Sequence, residues 1–159
     1  MKKTHILLAE GEPIAGADLK DQLQEMGYIV TGPFSQGENA VNSLNSGYPD
    51  LVILDIQLAG KWDGIETAKR ILTKQKLPII FLSSNSDADT FAKAKDTAPV
   101  AFMSKPFRIR DLKYTIELAL ENSEKEPKDT KPIKSPECTP CLSDRLFIKT
   151  KDLHRTWAN

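Results

Sequence analysis

Four short apolar runs in this sequence end in residues that could do chemistry together. The run over 6–9 stops at Glu10-Gly11-Glu12, and the run over 51–54 stops at Asp55. The run over 78–82 leads into Ser83-Ser84, and the run over 100–103 leads, one residue later, into Lys105-Pro106. Carboxylates, hydroxyls and one ammonium suit a phosphoryl group held beside a hard divalent cation. Mg2+ takes oxygen ligands and keeps several waters, so one or two carboxylates suffice. A lysine neutralises phosphate oxygens as a point charge, and a hydroxyl donates to one.

Such residues work only if the chain brings the run ends to one place. Strand-like runs recur over 4–9, 28–34, 51–55, 78–82 and 100–103, and several are continuous and apolar, as in a parallel sheet covered on both faces. Helical spacing appears between them. Leu19, Leu23 and Met26 share one face, with Gly27 as a stop signal; so do Ile65, Ala68 and Ile71 or Leu72; so do Ile109, Leu112, Ile116 and Leu120. Weaker helices are expected over 35–45 and 88–96, the second anchored by Phe91. Five strand–helix units in a row predict a doubly wound α/β fold with a five-stranded parallel sheet. In such sheets ligands bind at the carboxyl ends of the strands, where the strand order reverses. Glu10, Asp55, Ser83 and Lys105 are therefore expected to converge.

Composition narrows the function. The 159 residues carry 22 Lys and Arg against 22 Asp and Glu, so no overall basic field draws the chain to nucleic acid. No apolar run approaches the ~20 residues of a membrane span, and the four-residue run near the N-terminus is too short for a signal peptide; a cytoplasmic protein without membrane contact is expected. From about residue 121 the composition changes to a charged, proline-rich stretch, with four of the ten prolines between 127 and 140. It reads as a solvated linker over 123–143. Cys138 and Cys141 have the spacing of a zinc or redox pair. They lack a second ligand pair, although His154 lies downstream, and read as incidental linker cysteines. His5, in the first strand, reads as structural.

"ILDIQLAGKWDGIETAKRI", together with the acidic end of the first strand, "PIIFLSS" and "SKPF", resembles the receiver domain of two-component response regulators. The resemblance covers roughly residues 3–122 and rests on the order and spacing of these motifs. It implies a receiver domain over 1–122, a (βα)5 flavodoxin-like fold and strand order 2-1-3-4-5. It implies that Asp55 accepts a phosphoryl group from a phosphohistidine on a sensor histidine kinase. Lys105 matches the lysine that contacts that aspartate and later the phosphoryl group. Ser83 matches the residue that follows the phosphate, Phe102 the aromatic switch residue, and Gln57 the residue whose backbone carbonyl binds Mg2+. Lys105-Pro106 matches a peptide bond that is usually cis. The protein would phosphorylate itself from a donor without being a turnover enzyme, and it would signal or dimerise through helix 4, strand 5 and helix 5.

One position departs from the pattern. The family has two adjacent acids after strand one, the second a direct metal ligand; Glu10 matches the first and Gly11 falls on the second. Metal affinity follows ligand charge and count, so Mg2+ binding is expected to be weakened, with Glu10 and Glu12 as candidate replacements. Pro13 marks Glu12 as a helix-start residue as well. A pseudo-receiver, a protein-interaction module independent of phosphorylation, is the alternative that Gly11 motivates. Gly11→Asp is the substitution expected to restore metal binding if the missing side chain is the only cause. A small phosphatase or flavodoxin-like enzyme fits poorly, because no glycine-rich phosphate loop follows strand one. The terminal "DRLFIKTKDLHR", within 144–159, resembles the opening strands of a LytTR-type DNA-binding domain, and DNA becomes a partner only if such a domain continues downstream.

Overall fold

The computed structural model describes residues 2–84 and 88–125. The segment beyond 125, expected as a linker, the pair Cys138 and Cys141, and the tail with His154 and Trp157 lie outside the described residues. Five strands and five helices alternate: β1 (His5–Ala9), α1 (Pro13–Glu25), β2 (Ile29–Phe34), α2 (Gly37–Ser43), β3 (Leu51–Asp55), α3 (Gly64–Lys74), β4 (Ile79–Ser83), α4 (Ala88–Lys95), β5 (Ala101–Ser104) and α5 (Ile109–Lys125). All four strand pairings are parallel, and the sheet order is β2-β1-β3-β4-β5. The chain steps outward from β1 to β2 and then returns to the other side of β1 with β3. The order reverses there, so the crevice lies over the carboxyl ends of β1 and β3.

The central strands are apolar because both of their faces are covered. Successive residues of a strand point to opposite faces, and the core divides accordingly. Leu7, Ala9, Val52, Leu54, Ile79 and Phe81 pack with Ala40, Val41, Ile65, Ala68 and Ile71 of α2 and α3. Ile6, Leu8, Ile53, Ile80 and Leu82 pack with Leu19 and Leu23 of α1 and Leu112, Ile116 and Ala119 of α5. Alternate residues of β1, β3 and β4 thus anchor opposite layers, and a one-residue register slip would turn each set to the wrong side. β2 and β5 are the edge strands, and the first residue of β2, Ile29, is half-exposed.

Two expected helices differ in detail. The segment expected as a helix over 35–45 forms only Gly37–Ser43, with Gln36 in extended backbone as its cap. In α4 the buried residue is Ala94, whereas Phe91, expected as the anchor, is exposed. Phe91 instead meets Phe102 edge-on, its ring centroid 5.4 Å away. The apolar pattern of α4 is too sparse to separate a core contact from a surface one. Ser84 is exposed, and the residues joining it to α4 are outside the described set. His5 is structural as expected: its ring bonds Thr31 Oγ1, and its backbone N–H donates to Asp50 Oδ2.

The start of α3 is fixed by chemistry visible in the sequence. Asp63 caps the helix, its Oδ1 accepting the Glu66 N–H at 2.8 Å, and Thr67 Oγ1 donates to the Asp63 carbonyl. Gly64 follows because its Cα lies against the backbone of Asp55 and Ile56, where any Cβ would overlap the Asp55 carbonyl. Helix α3 therefore starts packed directly against the backbone at the end of β3. Asp63→Ala is expected to lower stability by about 1 kcal/mol, read as a lower urea midpoint with an unchanged slope.

Candidate functional site

Glu10 follows β1, Asp55 ends β3, Ser83 ends β4 and Lys105 follows β5, so parallel strands in this order deliver all four to one edge. Glu10, Asp55 and Ser83 are buried, at 2%, 3% and 1% exposure, although two of them are carboxylates. Buried carboxylates persist only when paired and hydrogen-bonded, and Lys105 meets both. Its Nζ donates to Glu10 Oε1 and Oε2 at 3.0 and 2.8 Å and to Asp55 Oδ2 at 3.2 Å. Backbone donors complete the set. Gln57 N–H donates to Asp55 Oδ1 at 3.0 Å, Gly11 N–H to Asp55 Oδ2 at 3.3 Å, and Glu12 N–H to Glu10 Oε1 at 3.2 Å.

One ammonium thus faces two carboxylates, which leaves excess negative charge in a place with little water. Burial raises the Glu10 pKa to about 7. The hydrogen bond with Asp55 and its charge act in the same direction, against the lowering effect of Lys105 and of the Glu12 backbone bond. Burial on its own would depress Lys105. The Glu10 hydrogen bond and the charges of Asp55 and Glu10 outweigh it, and the ammonium is held above its ordinary value.

The remaining predicted residues fall around this cluster. Ser83 lies one residue past Leu82, the β4 partner of Asp55, and its carbonyl accepts the Lys105 N–H at 2.8 Å. The Lys105–Pro106 peptide is cis, as the resemblance implies. Phe102 is on β5 opposite Phe81, partly buried, with its ring between Phe81 and Phe91. Glu12 caps α1 with an exposed side chain that makes no capping bond. Its backbone, not its carboxylate, is what touches the cluster.

The donor set does not fit a metal centre with three protein ligands. Glu10, Asp55 and the Gln57 carbonyl are hard oxygen donors of the right kind. Every carboxylate oxygen of Glu10 and Asp55 nevertheless already accepts at least one hydrogen bond. Position 11 offers no side chain, and the Gln57 carbonyl oxygen fills the place where a Cβ at Gly11 would be. Among the described residues no group of three or more His, Cys, Asp and Glu side chains could hold a metal ion. The sequence pointed to Gly11 as a missing ligand. The occupation of its space by residue 57, separated by 46 positions, carries no local sequence signal.

Comparison with known proteins agrees with the fold and places the chain in a family. Residues 6–117 match the model of the response regulator receiver domain. The transcriptional regulatory protein PdtaR of Mycobacterium tuberculosis is 38% identical over 115 residues, 72% of this chain and 56% of that protein. The sensory transduction protein BceR of Halalkalibacterium halodurans is 33% identical over 115 residues, 49% of its length. The chain thus spans about half the length of these curated relatives. Among solved structures, the signal receiver domain of a modulated diguanylate cyclase from Desulfovibrio desulfuricans G20 superposes with a TM-score of 0.73 at 37% identity, covering 77% of this chain and 98% of that one. A CheY-like receiver domain protein from Methanospirillum hungatei JF-1 has a TM-score of 0.74 at 20% identity, covering 79% of this chain and 100% of that one, and attests the fold. With the matched region reaching all five strands and including Glu10, Asp55, Ser83 and Lys105, the chain belongs to the response regulator receiver family of two-component systems.

Proposed function

We propose that this receiver domain, residues 1–122 with the last turn of α5 behind it, accepts a phosphoryl group on Asp55 from a sensor histidine kinase. The single observation that carries this reading is the Lys105 Nζ lying within hydrogen-bond reach of Asp55, itself buried at the strand-order switch point. An Asp55 oxygen attacks the phosphorus of a phosphohistidine. A P–O bond forms, the P–N bond breaks, and the imidazole leaves with a proton, giving an acyl phosphate that water later hydrolyses. Charge on the transferring group needs stabilisation in place before the reaction. Lys105 supplies a cation, and the Gln57 and Gly11 N–H groups, already aimed at Asp55, supply donors. Receiver domains normally bind Mg2+; here Lys105 already bridges Glu10 and Asp55, and weak binding is expected.

Phosphorylation adds a dianion beside Ser83 and Lys105, the kind of local charge change that biases a two-state surface. The route to that surface runs through Phe102, which touches Phe91 of α4. Phe91, Tyr114 and Leu118 are 51%, 55% and 60% exposed on α4 and α5. These exposed apolar side chains support dimerisation or partner binding through α4, β5 and α5. The relatives' names support transcriptional control as the output, with any DNA contact outside the receiver.

The test is intact-mass measurement after incubation with acetyl phosphate or a phosphorylated kinase. One phosphoryl group is expected, removable by hydroxylamine as an acyl phosphate and mapped to the peptide containing Asp55. Labelling on another residue, or none from either donor, contradicts the reading. The engagement of both carboxylates by Lys105 favours a second one: a pseudo-receiver whose surface binds a partner without phosphorylation. Partner binding in the unlabelled state would decide for it.

A further inference from the structure

We infer that Gly11 is a steric determinant of the loop between β3 and α3: a side chain at position 11 and the present position of Gln57 exclude each other. A Cβ built on Gly11 would overlap the Gln57 carbonyl oxygen, with the Gln57 carbonyl carbon at 3.3 Å and the Leu58 Cα at 3.5 Å. The obstructing atoms are backbone, so no rotamer change relieves the overlap, and the loop itself must move.

That loop is fastened on its far side. Ala59 N–H donates to the Ser35 carbonyl at 2.8 Å, and Ala59 forms an isolated parallel bridge with Gln36. Lys61 N–H donates to Glu38 Oε1 at 3.0 Å. At its near end Gln57 N–H is held on Asp55. The segment from Gln57 to Lys61 is therefore tied to both Asp55 and the start of α2, over the space next to Gly11. Displacing it for a new side chain breaks or strains these bonds together.

Two consequences follow. Adding the acid that the family carries at this position does not simply return a missing ligand, because Gly11→Asp shifts the carbonyl that would be its co-ligand. The resident cation of the site is Lys105, which meets both carboxylates at 2.8–3.2 Å. The site is thus closed as a lysine-bridged pair and has low affinity for divalent cations, whether or not Asp55 is phosphorylated in the cell.

The test uses the full chain carrying Trp157→Phe, which leaves Trp62, in the same loop, as the only tryptophan. Trp62 packs partly buried beneath Arg70, whose guanidinium lies 4.2 Å from the ring centre, so loop movement alters its emission. Gly11→Ala, which adds bulk without a ligand, is expected to shift the Trp62 emission and to lower Tm in EDTA by roughly 5 °C or more. Gly11→Asp is expected to show the same losses in EDTA. Without a substitution at Gly11, titration with MgCl2, followed by Trp62 fluorescence and calorimetry, is expected to show no saturation in the low millimolar range. Gly11→Ala with parental Tm and emission would overturn the exclusion. Saturable Mg2+ binding in or below the low millimolar range with Gly11 in place would overturn the closed site, and that measurement stands even if a Gly11 variant fails to fold.

Discussion

Asp55→Asn is expected to take up no phosphoryl group from acetyl phosphate or from a kinase, and its folded structure is expected to survive. An amide oxygen lacks the negative charge that makes the carboxylate a nucleophile, so the covalent step is lost outright. The fold persists because the substitution keeps one acceptor oxygen and nearly the same volume. It also removes one of the two negative charges that Lys105 bridges. The cost is one mismatched contact. Asp55 receives Gln57 N–H on one oxygen and Gly11 N–H and Lys105 on the other, and the new NH2 must face one of these donors. An unsatisfied buried donor costs about 1–3 kcal/mol, partly offset by the relieved repulsion with Glu10. Lys105→Met separates charge stabilisation from nucleophile. It leaves Asp55 in place, and phosphoryl uptake is expected to fall about 100-fold or more, the usual effect of losing one oriented donor to developing charge. A mass shift in Asp55→Asn equal to that of the native chain would move the phosphoacceptor elsewhere. An undiminished rate in Lys105→Met would remove the lysine from the chemistry.

The fold and the site were legible in the sequence to different depths, for identifiable reasons. Strands β1, β3 and β4 are buried on both faces, so each reads as an unbroken apolar run, and the residue that ends each run stands out. That is why Glu10, Asp55 and Ser83 were visible before any geometry. Helices α1, α3 and α5 were equally plain, because residues such as Leu19 and Leu23, or Leu112 and Ile116, keep the spacing of one buried face. Helix α4 was not, because its buried residue is Ala94 and a single alanine carries no pattern. Phe91 attracted attention by its size, yet its partner is Phe102, itself only partly buried. The site's electrostatics were half legible. A lysine and two acids could be named, but their sharing one ammonium depends on the order of β1, β3, β4 and β5. The overlap at Gly11 was not legible. A glycine in a sequence is a missing side chain; only the fold shows which backbone atom has taken its place.

The same cluster sets a pH dependence of stability. Glu10 has a pKa of about 7 in the folded chain against 4.5 for the unperturbed side chain, chiefly because it is buried and then because Asp55 is beside it. A raised carboxyl pKa means that the folded state holds its proton longer than the unfolded state does. The contribution to stability is therefore fully present below pH 4.5 and is lost as pH rises through about 7. Each unit of difference corresponds to about 1.4 kcal/mol, so stability is expected to fall by roughly 2–3 kcal/mol between about pH 5 and pH 8. Urea unfolding across that range reads it directly. Glu10→Gln keeps an oxygen for Lys105 and the Glu12 N–H but cannot titrate, and its stability is expected to be flat over the same window. Asp55→Asn should also shrink the slope, because the hydrogen bond from Asp55 and its charge both raise the Glu10 pKa. The two variants therefore test one cluster from its two ends. A full slope retained in Glu10→Gln would place the proton on another group, and the lysine-bridged pair would then have to be fully ionised at neutral pH.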